Sequence, residues 1–219
     1  MSRGGDKADA ALDRFKVSVH DKRVLDAGAS TGGFTDCVLQ RGAREVVAVD
    51  VGRSQLHERL RQDPRIRVME RTNIRSVEPA SIGGLVDVVV ADLSFISLRT
   101  AALHLLAVCR PSGDLVLLVK PQFEASHVEA SQGRGVIRDP EVWRRTLLEV
   151  GGTLGQRGAA IMGAMVSPLR GAEGNVEFFV HAVAGAPVAS LELEQLVDTA
   201  VTDASETVAR EVGPDKDQA

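Results

Sequence analysis

A chain of 219 residues that is 44% hydrophobic can bury one core of ordinary domain size, and its apolar runs, such as 86–91 with only Asp87 interrupting, fall far short of the roughly 20 residues a membrane span needs. Two cysteines, Cys37 and Cys109, offer neither a disulfide framework nor metal-ligand spacing, and the polar residues after Met1 do not form a secretory signal, so a cytoplasmic, metal-free protein with no membrane partner is expected. The net charge of −4 is uneven: eight acids against two bases from Ser190 onward leave the rest at +2, which with 3% aromatics is a modest footprint for a polyanion.

The chain opens with Ser2-Arg3-Gly4-Gly5, read as a flexible lead into a helix over Lys7–Phe15. Apolar runs at Arg23–Asp26, Glu45–Asp50, Arg67–Glu70, Asp87–Asp92, Asp114–Val119, Ala160–Val166 and Glu177–Ala182 read as strands. Segments of helical length and spacing separate them: Phe34–Arg41, Gln55–Gln62, Ser97–Cys109 and Pro140–Gln156. This alternation predicts an α/β fold, a mostly parallel seven-stranded sheet with helices on both faces. Pro121–Arg138 reads as a long loop at the carboxyl end of a strand, the edge where ligands bind in open α/β sheets. Leu193, Leu196, Val197, Ala200, Val201, Ala204 and Val208 recur at helical spacing, predicting a helix that packs on the body with its acids outward. The expected division is a body over 1–187 and, over 188–219, an acidic helix with a disordered tail from Gly213.

Asp26-Ala-Gly28-Ala-Ser30-Thr-Gly32-Gly33 follows a strand and opens a helix, so its small residues let backbone approach a ligand near a helix start. The spacing is not G-x-G-x-x-G, and no P-loop lysine follows. Asp50, closing the next strand, is placed to accept hydrogen bonds from ribose hydroxyls, so a nucleoside cofactor fits better than a bare phosphate. A dinucleotide and S-adenosylmethionine are the main choices; an acid at Asp26 would repel a pyrophosphate and suits the amino group of a methionine moiety, which favours S-adenosylmethionine. Asn73 is a candidate for the adenine edge or a turn former, and Phe34 either packs beside the cofactor or lies in the core.

Five separated motifs, in order, carry a resemblance to a known family: 2–7 (SRGGDK), 25–35 (LDAGASTGGFT), 91–98 (ADLSFISL), 118–124 (LVKPQFE) and 174–179 (GNVEFF). The chain resembles the TlyA-type ribosomal RNA ribose methyltransferases, sometimes labelled haemolysins, of the broader FtsJ-like fold. The resemblance implies a Rossmann-like S-adenosylmethionine methyltransferase fold and methyl transfer to a ribose 2′-hydroxyl of ribosomal RNA, cytidine being the expected nucleoside. It implies a catalytic tetrad of Lys7, Asp92, Lys120 and Glu177. Lys120 is the base or the group that orients the hydroxyl, Lys7 the neighbouring positive charge, Asp92 the orienting acid close to the methyl donor, and Glu177 the group that holds the lysines. The cofactor is expected against Asp26, Gly28, Ser30, Gly32, Gly33, Phe34, Asp50, Asn73 and Asp92.

Arg134, Arg138, Arg144 and Arg145, in or just after the long loop, and Arg170, near the Glu177 motif, are the candidate contacts to RNA phosphates. Typical family members carry a small RNA-binding domain before the Ser-Arg-Gly-Gly segment, and this chain begins at that junction. RNA capture is therefore expected to lean on a partner or on assembled ribosomal subunits, unless the chain is a truncated piece of a longer protein. Two other readings stand beside this one: methylation of a non-RNA hydroxyl by the same machinery, and a non-catalytic cytolysin or interaction protein.

Overall fold

The computed structural model describes residues 2–171, 173–185 and 190–212. Seven strands form one sheet: β1 (Arg23–Ala27), β2 (Glu45–Val49), β3 (Ile66–Met69), β4 (Val86–Ala91), β5 (Cys109–Val119), β6 (Ala159–Val166) and β7 (Phe178–Ala184). Their order is β3-β2-β1-β4-β5-β7-β6, with β7 antiparallel to both neighbours and the remaining pairs parallel. The valine-rich central strands are buried on both faces, as a parallel sheet covered by helices requires.

Helices α1 (Arg3–Phe15), α2 (Gly33–Gln40) and the short α3 (Glu58–Arg61) cover one face, where Ala8, Leu12, Phe34, Val38 and Leu60 pack against Val24, Val90, Leu118 and Phe179. After the single-turn α4 (Pro79–Ile82), helix α5 (Leu98–Val108) begins the cover of the other face, joined there by α8 (Pro140–Gln156) and α9 (Ser190–Val212). Two further turns, α6 (Pro121–Glu124) and α7 (His127–Gln132), lie between β5 and α8. No helix among the described residues is long and apolar enough to cross a membrane.

Several elements differ from the sequence expectation, each for a local reason. Arg3-Gly4-Gly5 is not a flexible lead but the first turn of α1, because Ser2 caps it and accepts a hydrogen bond from the Gly5 amide at 3.3 Å. The small residues serve the packing of α1 on α2: a Cβ at Gly33 would stand 2.5 Å from Ser2 Oγ and 3.2 Å from the Gly4 Cα. The expected helix over 55–62 shrinks to α3, capped by His57. β5 starts at Cys109, directly where α5 ends, rather than at Asp114. The long loop over 121–138 contains two helical turns, the second opened by a reciprocal Ser126–Glu129 capping box. α9 buries Val197, Ala200 and Ala204 in the same core as α8 and β6. The expected domain boundary at 187/188 and the expected disordered tail from Gly213 lie outside the described residues.

Candidate active site

Alternation along the strands brings the charged residues together. Val24, Val90, Leu118 and Phe179 face α1 and α2, so the residues two positions away, Asp26, Asp92, Lys120 and Glu177, belong to that same face at the carboxyl edge of β1, β4 and β5. Val119 is paired with Phe178, so the next residues out, Lys120 and Glu177, stand opposite one another across the antiparallel β5–β7 pair. The Asp92 amide donates to the Ala27 carbonyl at 2.9 Å, which fixes the end of β4 beside the glycine turn after β1.

Two ion pairs result. Lys7 on α1 reaches down to Glu177, Nζ to Oε2 2.5 Å, with only 10% of the lysine side chain and 3% of the glutamate exposed. Lys120 Nζ lies 2.6 Å from Asp92 Oδ1 and donates a hydrogen bond to Ser94 Oγ at 2.9 Å. The Lys120–Asp92 contact is an ion pair, and among the described residues Asp92 Oδ1 has no hydrogen-bond partner. The four residues expected to act together thus form two opposed cation–anion pairs at one sheet edge.

Beside them opens a cavity of about 570 Å³, lined by Gly28, Ser30, Asp50, Asn73 and Asp92 among the expected cofactor residues. Gly28 has φ 87°, and a Cβ there would lie 2.3 Å from the Asp92 carbonyl oxygen, so only glycine permits this approach of the two loops. Asp50 is held rigidly: its Oδ2 accepts from the Ser30 amide at 2.8 Å and its Oδ1 from the Gly52 amide at 2.6 Å. Each oxygen keeps a lone pair for a ribose hydroxyl. Asn73 caps the following turn, accepting from the Arg75 amide at 3.0 Å, which is its expected turn-forming role, and it also lines the cavity.

Asp26 is fully buried below this floor. One oxygen accepts from Thr35 Oγ1 at 2.6 Å and the other, Oδ1, has no partner among the described residues. Burial pushes its pKa from 3.8 to about 7; the Thr35 hydrogen bond opposes the rise, while the charges of Asp92 and Asp50 add to it.

Four expected cofactor residues do not line the cavity: Asp26, buried beneath it, and three that pack elsewhere. Gly32, at φ 99°, faces Leu60 and Leu56 of the α3 segment, and Gly33 faces Ser2 and α1. Phe34 is 3% exposed and stacks on Phe179, ring centroids 6.2 Å apart, within the core. The glycine-rich turn therefore divides: its first half approaches the cavity and its second half serves helix packing.

The arginines divide too. Arg144 pairs with Asp198 at 2.6 Å, Arg145 with Glu129 at 2.7 Å and Arg170 with Glu211, so two of the three are held by the acidic helix α9. Arg134 and Arg138 are exposed and have no carboxylate partner among the described residues. Sequence reasoning missed Arg53, Arg71 and Arg75. All three are exposed without a carboxylate partner among the described residues; Arg75 lines the cavity, and the Arg71 amide binds the Gly52 carbonyl at its rim. It also missed Phe95, which is 93% exposed at φ 64° with its ring 5.3 Å from that of Phe123, itself 5.9 Å from Lys120 Nζ. The low aromatic content hid this pair, since only its placement beside Lys120 singles it out.

The model of the FtsJ-like methyltransferase family matches residues 1–184. The 16S/23S rRNA (cytidine-2'-O)-methyltransferase TlyA of Mycobacterium tuberculosis is 49% identical over 180 residues, 82% of this chain and 67% of that protein. Hemolysin A of Brachyspira hyodysenteriae is 38% identical over 182 residues, 83% of this chain and 75% of that one. A crystal structure of a candidate hemolysin from Lactococcus lactis, 39% identical, superposes with a TM-score of 0.87 over 94% of this chain and 98% of the other. The chain belongs to the FtsJ-like methyltransferase family and is a methyltransferase that uses S-adenosylmethionine. The residues present fit that cofactor: a glycine cradle at Gly28, a fixed acid at Asp50, and an orphaned buried carboxylate oxygen on Asp26 that can answer a cationic methionine end.

Proposed function

We propose that the protein methylates a ribose 2′-hydroxyl of ribosomal RNA, a cytidine as in the reaction named for the mycobacterial relative. The observation that carries this reading is the Lys120–Asp92 and Lys7–Glu177 pairs on one sheet face beside a nucleoside-sized cavity. S-adenosylmethionine supplies a methyl group already activated on a cationic sulfur. The chain's own work is then alignment and proton removal from a very weakly acidic alcohol. Lys120, with 12% of its side chain exposed and braced between Asp92 and Ser94, is the group we assign to the hydroxyl proton. Asp92 orients the amine. The Lys7–Glu177 pair places a second ammonium beside the oxygen as negative charge develops on it.

RNA rather than a small alcohol is favoured by what surrounds these pairs. The exposed Phe95–Phe123 pair next to Lys120 offers a stacking surface for a base splayed out of its helix. Arg75, which lines the cavity, Arg71 beside it, and the exposed Arg53, Arg134 and Arg138 offer phosphates guanidiniums that have no carboxylate partner among the described residues. The test is transfer of labelled methyl to ribosomal subunits that lack the modification, with and without ribonuclease treatment of the acceptor beforehand. The reading requires label in intact RNA and its loss after digestion; transfer that survives digestion would point to another hydroxyl.

A further inference from the structure

The geometry points to Glu124 as a positioning residue that locks the Lys120 turn to the loop forming the cofactor wall; this inference rests on the functional reading above. Glu124 ends the turn α6 that follows Lys120, and it is 4% exposed although it is a carboxylate. Its partners lie 25 to 27 residues earlier in the chain, at the start of α5: Oε2 accepts from Ser97 Oγ at 2.5 Å and from Arg99 Nε at 3.2 Å, and Oε1 accepts from the Leu98 amide at 2.6 Å. Arg99 closes the clamp by donating from Nη2 to the Glu124 carbonyl at 2.8 Å, while its Nη1 binds Glu149 of α8 at 2.5 Å.

This is more than a helix cap. Ser97 already caps α5, its Oγ accepting from the Arg99 amide at 3.1 Å. Glu124 adds an anion at the same helix start, contributed by a different strand-end loop, and so fastens two loops together. One of them, Asp92 to Leu98, contains Asp92 and Ser94, which brace Lys120, and Leu93, Phe95 and Ile96, which line the cavity. The other is the four-residue turn beginning at Pro121, directly after Lys120. Burial raises the Glu124 pKa, while its bonds to Ser97, Leu98 and Arg99 favour the charged form. Four hydrogen bonds converging on one buried residue specify a single geometry between the lysine and the cofactor wall.

The test compares Glu124→Ala, Glu124→Gln and Glu149→Gln well below their melting temperatures, reading S-adenosylmethionine affinity by calorimetry and the kcat and KM of methyl transfer to unmodified subunits. Glu124→Ala should weaken cofactor binding about tenfold and lower kcat about 30-fold or more with acceptor KM nearly unchanged, since misplacing reacting groups by about an ångström has effects of this order. Glu124→Gln, which still accepts from Leu98, should recover to within about fivefold of wild type. Glu149→Gln breaks the same arginine network away from the turn and should leave both readouts near wild type. Should the alanine variant not fold, Ser97→Ala, which removes the α5 cap as well as the bond to Glu124, carries the test, with an expected fall in kcat of about tenfold from loss of the charged-group hydrogen bond. Wild-type affinity and kcat in the Glu124 variants, or equal damage from Glu149→Gln, would overturn the inference. Inactivity of the wild type on these subunits would count against the ribose acceptor, and the affinity comparison would then decide on Glu124 by itself.

Discussion

Replacing Asp26 by Asn should stabilise the ligand-free protein, and by more at higher pH. The carboxyl is fully buried, has one satisfied oxygen and one orphan, and carries a pKa raised from 3.8 to about 7. Below pH 3.8 both folded and unfolded chains hold the proton. Between 3.8 and 7 the folded chain retains a proton that the unfolded chain has released, so this group's contribution to stability falls as pH rises through that window and is least favourable above 7. A rise of this size corresponds to about 4 kcal/mol against ionisation in the folded state. Asn cannot ionise, and its carbonyl can still accept from Thr35. The stability gap between variant and wild type should therefore widen by about 2 to 3 kcal/mol between pH 5 and pH 8, measured by urea denaturation at each pH. The same carboxylate should favour the cationic end of S-adenosylmethionine, so wild-type affinity should strengthen across this range while the variant's stays flat and weaker. A stability gap that does not change with pH would refute the assignment of a high pKa to a buried, unpartnered carboxyl.

Lys7→Ala and Glu177→Ala should each destabilise the protein by about 3 to 5 kcal/mol, because each leaves its partner buried without a counter-charge, and the double variant should lose much less than the sum; additive losses in a denaturation cycle would argue against direct pairing. Arg71→Glu and Arg75→Glu should weaken RNA binding and reduce the salt dependence, each by about one unit of the log–log slope, whereas Arg144→Glu, whose guanidinium is held by Asp198, should change the slope little. Filter binding across a salt series distinguishes these outcomes.

The sheet was legible because its central strands are continuous apolar runs bounded by turn residues, and Val46–Val49 and Val88–Ala91 have no other use for such a pattern. Gly28 and Asp50 were legible for a related reason: a turn that follows a strand and opens a helix has few chemical purposes. The tetrad residues lie far apart in sequence, and only their motifs announced them; strand alternation then accounts for their shared face. What sequence hid was pairing at long range. Nothing near Arg144 or Arg170 signals that Asp198 and Glu211 of a terminal helix would take them up. Gly33 and Phe34 fit a cofactor motif and a packing interface equally well, and α1 decided between them. Glu124 and Ser97 sit 27 residues apart, so a clamp between two loops has no local signature.

The central claim is that the paired lysines and acids serve methylation of a ribose hydroxyl. The most direct measurement is nucleoside analysis by mass spectrometry of rRNA from unmodified subunits incubated with S-adenosylmethionine and either wild-type protein or Lys120→Ala. The account predicts a 2′-O-methylated nucleoside, expected to be cytidine, with wild type, and its loss by about a thousandfold in the variant at nearly unchanged cofactor affinity. A methyl group on a base, or a variant that retains wild-type turnover, would contradict it.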